Sequence, residues 1–210
     1  MKVDGTHYRS IWFNEVHNDV GIIDQRWLPS EFRIATLKTR DQFATAIRDM
    51  WVRGAPLIGA TAAYGVAMEM AADSSDQALD HVWHTLNETR PTAINLRWAL
   101  DRCRGHLAPL APDVRPEAAL QLAHEIAEED VETNRMLGVH GLALIRDILA
   151  RKPQGEPVRV LTHCNAGWLA TVDWGTATSP IYHAAEAGID IYVYADETRP
   201  RNQGGITAWE

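Results

Sequence analysis

The 210-residue sequence predicts an α/β protein in which a small antiparallel sheet and a helical bundle precede the start of a Rossmann-like parallel sheet. Three observations support this prediction. The first 40 residues contain short β-rich runs separated by turns, and residues 41–150 carry apolar side chains at helical spacing. Residues 158–195 then follow the order strand, helix, strand. This order is typical of two parallel strands joined by a right-handed crossover helix.

The N-terminal part is predicted to be a β-meander followed by helices. The β-rich runs cover residues 8–13, 20–24 and 32–36. A first helix is expected to begin near Asp41, a good N-cap residue. Later helices are expected over residues 57–72, 76–87, 93–107, 116–134 and 135–150, the last two being either one continuous helix or two partners.

The charged, Pro- and Gly-containing residues 151–157 indicate a linker between two domains. We predict an N-terminal meander and helical domain over residues 1–152, and the first part of a Rossmann-like domain over residues 153–210. In the second domain we expect strands at 158–162 and 189–195, a helix at 176–187, and the first turn of another helix at 206–210. A parallel sheet needs both faces covered, so we expect this domain to continue beyond Glu210.

Composition narrows the classes of function. Apolar residues make up 46% and charged residues 23%, as in ordinary globular proteins. The formal net charge of -8 disfavours a general nucleic-acid binder, but it permits a phosphorylated small molecule held by a few arginines. No uninterrupted apolar run of membrane-spanning length occurs, and two cysteines make no disulfide framework. We expect a cytoplasmic protein that does not bind membranes.

Cys164 follows the first buried strand, at the end of a parallel sheet where ligands bind. A loop that leads into a helix offers free N–H groups, which favour a thiolate. The alternative, and commoner, interpretation of a lone cysteine is a small buried apolar residue. A pair with His163 is disfavoured, because adjacent residues on an extended strand point to opposite faces. Cys103 lies within a predicted helix and is interpreted as a packing residue.

Two arginines stand in turns that suit a phosphate. Arg53 and Gly54 precede Ala55-Pro56 at a predicted helix start, where N–H groups are exposed. Arg90 lies in the turn Thr-Arg-Pro-Thr. The alternative is that each segment is an ordinary turn between helices. The histidines show no spacing typical of a metal site, so no metal is predicted.

Five segments in this order make a specific combination. They are Arg53-Gly-Ala-Pro-Leu-Ile-Gly59, Thr89-Arg-Pro-Thr-Ala-Ile-Asn-Leu96, Glu128-Glu-Asp-Val-Glu-Thr-Asn134, Leu161-Thr-His-Cys-Asn-Ala-Gly167 and Asp196-Glu-Thr-Arg-Pro-Arg-Asn-Gln-Gly204. Along essentially the whole chain the set resembles the S-methyl-5-thioribose-1-phosphate isomerase family. Proteins related to this family include ribose-1,5-bisphosphate and 5-deoxyribose-1-phosphate isomerases, and regulatory subunits of the translation initiation exchange factor.

The resemblance implies an aldose–ketose isomerase of methionine salvage that acts on a phosphorylated pentose, as a homodimer, with no metal or organic cofactor. Cys164 matches the catalytic cysteine of the family. The positions that match its substrate-holding residues, mainly those for the phosphate, are Arg53, Gly54, Ala55, Arg90 and Gln203. The family's catalytic Asp and an Asn-Lys pair correspond to positions beyond Glu210, so a chain of these residues alone is expected to be an incomplete enzyme.

One departure leaves the C5 substituent of the sugar open. Trp168 and residues 172–180 replace smaller residues of the typical enzyme, and bulky side chains beside Cys164 are expected to change this part of the pocket. A 5-deoxyribose 1-phosphate or a ribose 1,5-bisphosphate is therefore an alternative substrate to 5-methylthioribose 1-phosphate. A non-catalytic regulatory subunit is the rival from another functional class.

Overall fold

The computed structural model describes residues 1–210 and begins with two antiparallel β units. A short hairpin pairs β1 (Lys2–Val3) with β2 (Thr6–His7). A three-stranded sheet follows, with β4 (Asp19–Ile23) between β3 (Ile11–Asn14) and β5 (Ile34–Leu37). This sheet confirms the predicted meander. The hairpin was not predicted, because its strands are only two residues long and carry no alternating pattern.

The helical part consists of five helices built around a buried central one. Their bounds are α1 (Arg40–Arg48), α2 (Ala55–Ala72), α3 (Asp76–Asn87), α4 (Ile94–Leu107) and α5 (Arg115–Leu149). Helix α2 is apolar on all sides, and its small residues allow close approach of its neighbours. A Cβ atom at Gly59 would lie 3.2 Å from the Asn95 carbonyl oxygen of α4, and one at Gly65 would lie 3.0 Å from Leu86 of α3.

Helix α5 is one continuous helix, which decides between the two alternatives for residues 116–150. Its first half packs in the main core, and its second half packs on the next helix of the chain. A Cβ at Gly138 would overlap His183 and Ser179, and one at Gly141 would overlap Pro180. The domain boundary predicted after residue 152 falls in the loop that follows α5, and it stays a prediction.

The C-terminal part contains β6 (Val158–Thr162), α6 (Ser179–Glu186), β7 (Ile191–Ala195) and α7 (Gln203–Trp209). The two strands pair in parallel, from Val158 opposite Ile191 to Thr162 opposite Ala195. The predicted fold class is therefore confirmed. Helix α6 begins at Ser179 rather than at residue 176, because Trp174 and Gly175 have positive φ angles and Pro180 suits only the first turn of a helix.

Most of the apolar core lies in the N-terminal part. The main cluster holds 32 buried residues, which come from the meander, helices α1–α5 and Val172. A second cluster joins the meander to the C-terminal part through Ile23, Leu28, Trp168, Leu169 and Ile206. None of the helices combines the length and the apolar character needed to cross a membrane.

Candidate active site

The parallel strands β6 and β7 end side by side, and Cys164 lies two residues beyond the end of β6. Its side chain is exposed, and its backbone has a φ of 67°, a left-handed conformation that is uncommon for a residue other than glycine. Two threonine hydroxyls hold this backbone. The Cys164 N–H donates to Thr198 Oγ1 at 2.8 Å, and Thr207 Oγ1 donates to the Cys164 carbonyl at 3.1 Å.

Asp196, the first residue after β7, organises the groups around this loop. Its Oδ1 accepts a hydrogen bond from the Thr198 hydroxyl, and its Oδ2 accepts one from His163 Nδ1 at 2.6 Å. The hydrogen bonds from Thr198 and then His163 hold the pKa of Asp196 below its ordinary value. The His163 ring is thus engaged with Asp196, in agreement with the expectation that it does not pair with Cys164.

The arginine loop before α2 lies against the segment that follows Cys164. Gly54 has a φ of 86°, and a Cβ there would overlap the carbonyl oxygen and Cα of Ala170. The Arg53 guanidinium reaches the first residue of α7, with its Nη1 3.5 Å from Gln203 Oε1. Arg53, Gly54, Ala55 and Gln203 are therefore brought together beside the loop that carries Cys164.

The charge at this place is mainly positive, because the carboxylate near Arg53, that of Asp24, already pairs with Arg26. Burial lowers the pKa of Arg53, and the nearby cation of Arg201 lowers it further. Arg53 Nε is buried without a hydrogen-bond partner. Two cations close together, one of them with an unused buried donor, make a site that favours an anion.

Arg90 is half-buried in the turn between α3 and α4, and no hydrogen bond joins it to the other predicted site residues. Its carbonyl accepts the Ala93 N–H at 2.9 Å, which shapes the entry into α4. The start of α4 lies beside the first turns of α2, where Asn95 approaches Gly59. Arg90 is thus at the same end of α2 as Arg53.

Sequence reasoning assigned no role to four residues of this site, Asp196, Thr198, Arg201 and Thr207, and it placed two tryptophans differently. Arg201 and Thr198 lie within the motif of residues 196–204 and were not singled out, and Thr207 carries no sequence signal. Trp168 is 1% exposed and packs with Ile23, Leu28, Leu169 and Ile206, so its ring does not line a pocket. The Trp174 ring lies 4.6 Å from the His183 ring of α6. The expectation that bulky residues change the pocket for the C5 substituent stays a prediction.

No group of three or more His, Cys, Asp or Glu side chains is arranged to hold a metal ion. The other cysteine, Cys103, is buried in α4, and burial raises its pKa to about 12. Cys103 thus packs in the core, as predicted. Of the two thiols, only that of Cys164 is open to solvent.

The chain is similar to known proteins over its whole length. It is 66% identical over 211 residues to a methylthioribose-1-phosphate isomerase of Sinorhizobium medicae, a match that covers 100% of this chain and 58% of the relative. A crystal structure of 5-methylthioribose 1-phosphate isomerase from Pyrococcus horikoshii has a TM-score of 0.84 and 35% identity, covering 98% of this chain and 57% of that one. A crystal structure of the translation initiation factor eIF-2B, subunit delta, from A. fulgidus has a TM-score of 0.82 and 38% identity, covering 97% and 58%.

The chain thus spans a little over half the length of the curated relatives that it matches. Residues 51–210 match the sequence model of the Initiation factor 2 subunit family. This range includes the arginine loop, the Cys164 loop and the start of α7. The resemblance drawn from the five sequence segments is confirmed by these matches. This chain belongs to the Initiation factor 2 subunit family.

Proposed function

We propose that this chain is part of an aldose–ketose isomerase that converts 5-methylthioribose 1-phosphate into 5-methylthioribulose 1-phosphate in methionine salvage. One observation carries the proposal. The exposed thiol of Cys164 lies at the carboxyl ends of parallel strands, near two loops that bring the cations of Arg53 and Arg201 close together. A thiol close to an anion site suits chemistry on a phosphorylated molecule. The named relatives support this choice of substrate.

Each site residue has a proposed role. The Arg53 guanidinium and the Gln203 amide bind the phosphate, and Arg90 contributes a further charge. Gly54 and Ala55 offer backbone N–H groups at the start of α2, where the helix dipole favours an anion. The phosphate then anchors the sugar with its C1 and C2 atoms near Cys164, which acts as a catalytic residue.

The proposed reaction is an internal redox exchange. The ring C–O bond at C1 breaks, and the ring oxygen becomes a hydroxyl group by gaining a proton that balances the one lost from the C2 hydroxyl. The hydrogen on C2 is lost and C1 gains a hydrogen. The C2 alcohol becomes a ketone while C1 becomes a CH₂ group that still carries the phosphate. No external oxidant or reductant is needed. The resemblance assigns a catalytic Asp and an Asn-Lys pair to positions beyond Glu210, so we propose that the complete active site includes residues outside this chain.

Two alternatives differ in their observable consequences. A 5-deoxyribose 1-phosphate or ribose 1,5-bisphosphate isomerase would use the same phosphate and thiol groups with a different C5 pocket. A non-catalytic regulatory subunit, favoured by the similarity to the A. fulgidus structure, would show no turnover. We further propose a homodimer that functions in the cytoplasm.

The decisive experiment is an isomerase assay on the protein encoded by the whole gene. The three phosphorylated pentoses are compared as substrates by their kcat/KM values. We expect turnover of 5-methylthioribose 1-phosphate, loss of most activity in Cys164→Ser, and retained activity in Cys103→Ser. Absence of turnover on all three sugars would favour the regulatory subunit. Near wild-type turnover in Cys164→Ser would contradict the catalytic assignment.

A further inference from the structure

The Cys164 loop adopts a conformation that must be held by its surroundings. A positive φ is energetically unfavourable for a residue other than glycine, and Cys164 has a φ of 67°. The segment that holds it is also unusual. Thr198 and Asn202, both between β7 and α7, have φ angles of 49°. Three such residues in two facing loops indicate a geometry that the surrounding hydrogen bonds enforce.

The hydrogen bonds around Thr198 have a defined direction. A threonine hydroxyl has one hydrogen to donate and two lone pairs to accept with. The carboxylate of Asp196 can only accept, so the Thr198 hydroxyl donates to Asp196 Oδ1. Because its hydrogen is used in this way, Thr198 Oγ1 acts as an acceptor toward Cys164, and the Cys164 N–H donates to it at 2.8 Å.

Asp196 is itself fixed on its other oxygen. His163 Nδ1 donates to Oδ2 at 2.6 Å, and His163 is the residue directly before Cys164. The carboxylate thus ties the end of β6 to the loop after β7 through two routes. One route runs through the His163 ring and the other through the Thr198 hydroxyl to the Cys164 backbone.

We propose that Asp196 and Thr198 are positioning residues that set the backbone of Cys164, and with it the direction of the thiol. Neither residue has to touch the substrate in this role. The proposal rests on the catalytic role proposed for Cys164, but its geometric part concerns only the loop. It can therefore be tested separately from the isomerase activity.

The first test follows the Cys164 amide by NMR hydrogen exchange in the protein encoded by the whole gene. A hydrogen bond worth about 0.5–1.5 kcal/mol slows exchange roughly two- to tenfold. We expect Thr198→Val, which keeps the shape of the side chain but removes the hydroxyl, to lose this protection. Thr198→Ser keeps the hydroxyl and should retain it. Asp196→Ala should lose it, while Asp196→Asn, which keeps one acceptor oxygen, should fall between.

The second test measures kinetics in the protein encoded by the whole gene. Misplacing a reacting group by a small distance lowers kcat with little effect on binding, so Thr198→Val should lose roughly 10- to 100-fold in kcat with a nearly unchanged KM. Thr198→Ser should restore kcat. Thr36→Val on the exposed face of β5, which removes a hydroxyl far from this loop, is the matched control and should behave as wild type.

The outcomes separate the two proposals. If Thr198→Val keeps both the exchange rate of the Cys164 amide and kcat, the positioning role is wrong. If Thr198→Ser is as damaging as Thr198→Val, the side chain acts through packing and the proposal is again wrong. If the exchange results are as expected but Cys164→Ser remains fully active, the loop geometry stands and the catalytic role of Cys164 fails.

Discussion

Single side chains show how this site combines charge and burial. Burial removes part of the hydration of the Arg53 guanidinium, and the nearby cation of Arg201 repels it. Both effects disfavour the charged form of Arg53, as its lowered pKa indicates. An anionic ligand would relieve both effects, and a phosphate could also use the buried Nε. The affinity for a phosphorylated sugar should therefore depend strongly on this residue.

We expect Arg53→Ala to raise KM in the whole enzyme by roughly 10- to 150-fold, because a charge-assisted hydrogen bond is worth about 1.5–3 kcal/mol. Arg90→Ala should raise KM in the same direction. Arg146→Ala on the exposed face of α5 removes a cation that forms no ion pair, and it should leave KM unchanged. Wild-type KM and kcat in both Arg53→Ala and Arg90→Ala would show that these arginines are structural.

The half-buried side chain of Asp130 leads to a second prediction, which concerns the pH dependence of stability. Its Oδ2 accepts the Val172 N–H at 2.7 Å and its Oδ1 accepts Asn134 Nδ2 at 2.9 Å, which ties α5 to the loop after Cys164. Burial nevertheless raises its pKa to about 6. Between its ordinary value of 3.8 and 6 the folded state binds more protons than the unfolded state, so this residue lowers stability as pH rises through that window.

The measurement is the free energy of unfolding from pH 4 to pH 7. The free energy of unfolding of the wild type, minus that of Asp130→Asn, should decrease as pH rises through this window. Glu129, the preceding residue, has a pKa lowered by its hydrogen bond from Arg102, so Glu129→Gln should show a trend of opposite sign. Identical pH trends in the two comparisons would contradict the burial argument for Asp130.

Among the secondary-structure elements, the contact between the start of α2 and the turn Trp168–Ala170 connects the two halves of the site. Gly54 makes this contact possible through its φ of 86° and its missing side chain. Any larger residue would both strain the backbone and push Ala170 away. The distance between the phosphate loop and the Cys164 loop therefore depends on one glycine.

We expect Gly54→Ala to destabilise the protein by about 1–3 kcal/mol, the usual cost of a residue forced into a sparsely populated conformation. Gly105→Ala is the matched control, since Gly105 lies within α4 and a Cβ there meets nothing within 4 Å. This change should stabilise by about 0.5–1 kcal/mol. Urea unfolding of both variants checks the pair, and equal effects of the two changes would contradict the packing argument.

The elements that local chemistry determines could be predicted from sequence. Helix α3 runs from Asp76 to Asn87 as expected, because the Ser75 hydroxyl caps it and its apolar residues keep helical spacing. Strand β6 was equally clear, as a short run of β-branched and apolar residues after a linker. Position alone placed Cys164 at the ligand-binding end of the sheet.

Non-local contacts account for what could not be predicted. The long loop between β6 and α6 is held by partners far away in sequence. For example, Ser10 Oγ donates to the Trp168 carbonyl at 2.8 Å and Gln25 Nε2 donates to the Leu169 carbonyl at 2.6 Å. The hydrogen bonds of the Cys164 backbone with Thr198 and Thr207 likewise join residues that are 34 and 43 positions apart in the sequence. No local sequence pattern predicts hydrogen bonds between residues so far apart in the chain.

The whole molecule divides its apolar packing unevenly. The main core of 32 buried residues lies almost entirely within the meander and helices α1–α5. The cluster under the parallel strands has only Ile145, Val158 and Ala184 as buried members. Strands β6 and β7 pair with each other alone, and both outer edges are free.

One face of this strand pair is open and apolar. Leu161 is 73% exposed, Tyr192 54% and Tyr194 50%. A cavity of about 710 Å³ opens between these strands, α6 and α7. Exposed strand edges next to an apolar patch favour association or local opening.

We therefore expect the isolated 210-residue chain either to associate through this face or to show weak hydrogen-exchange protection at residues 158–162 and 191–195. Helices α2 and α4, which are buried in the main core, should be the best protected part of the chain. Exchange measured together with sedimentation distinguishes the two cases. Replacing Tyr192 by Lys should reduce association by placing a charge on the apolar face, whereas the same change at exposed Val16 in the N-terminal turn should have no effect. A monomeric chain with uniformly strong protection of both strands would show that the strand pair is stable without further cover.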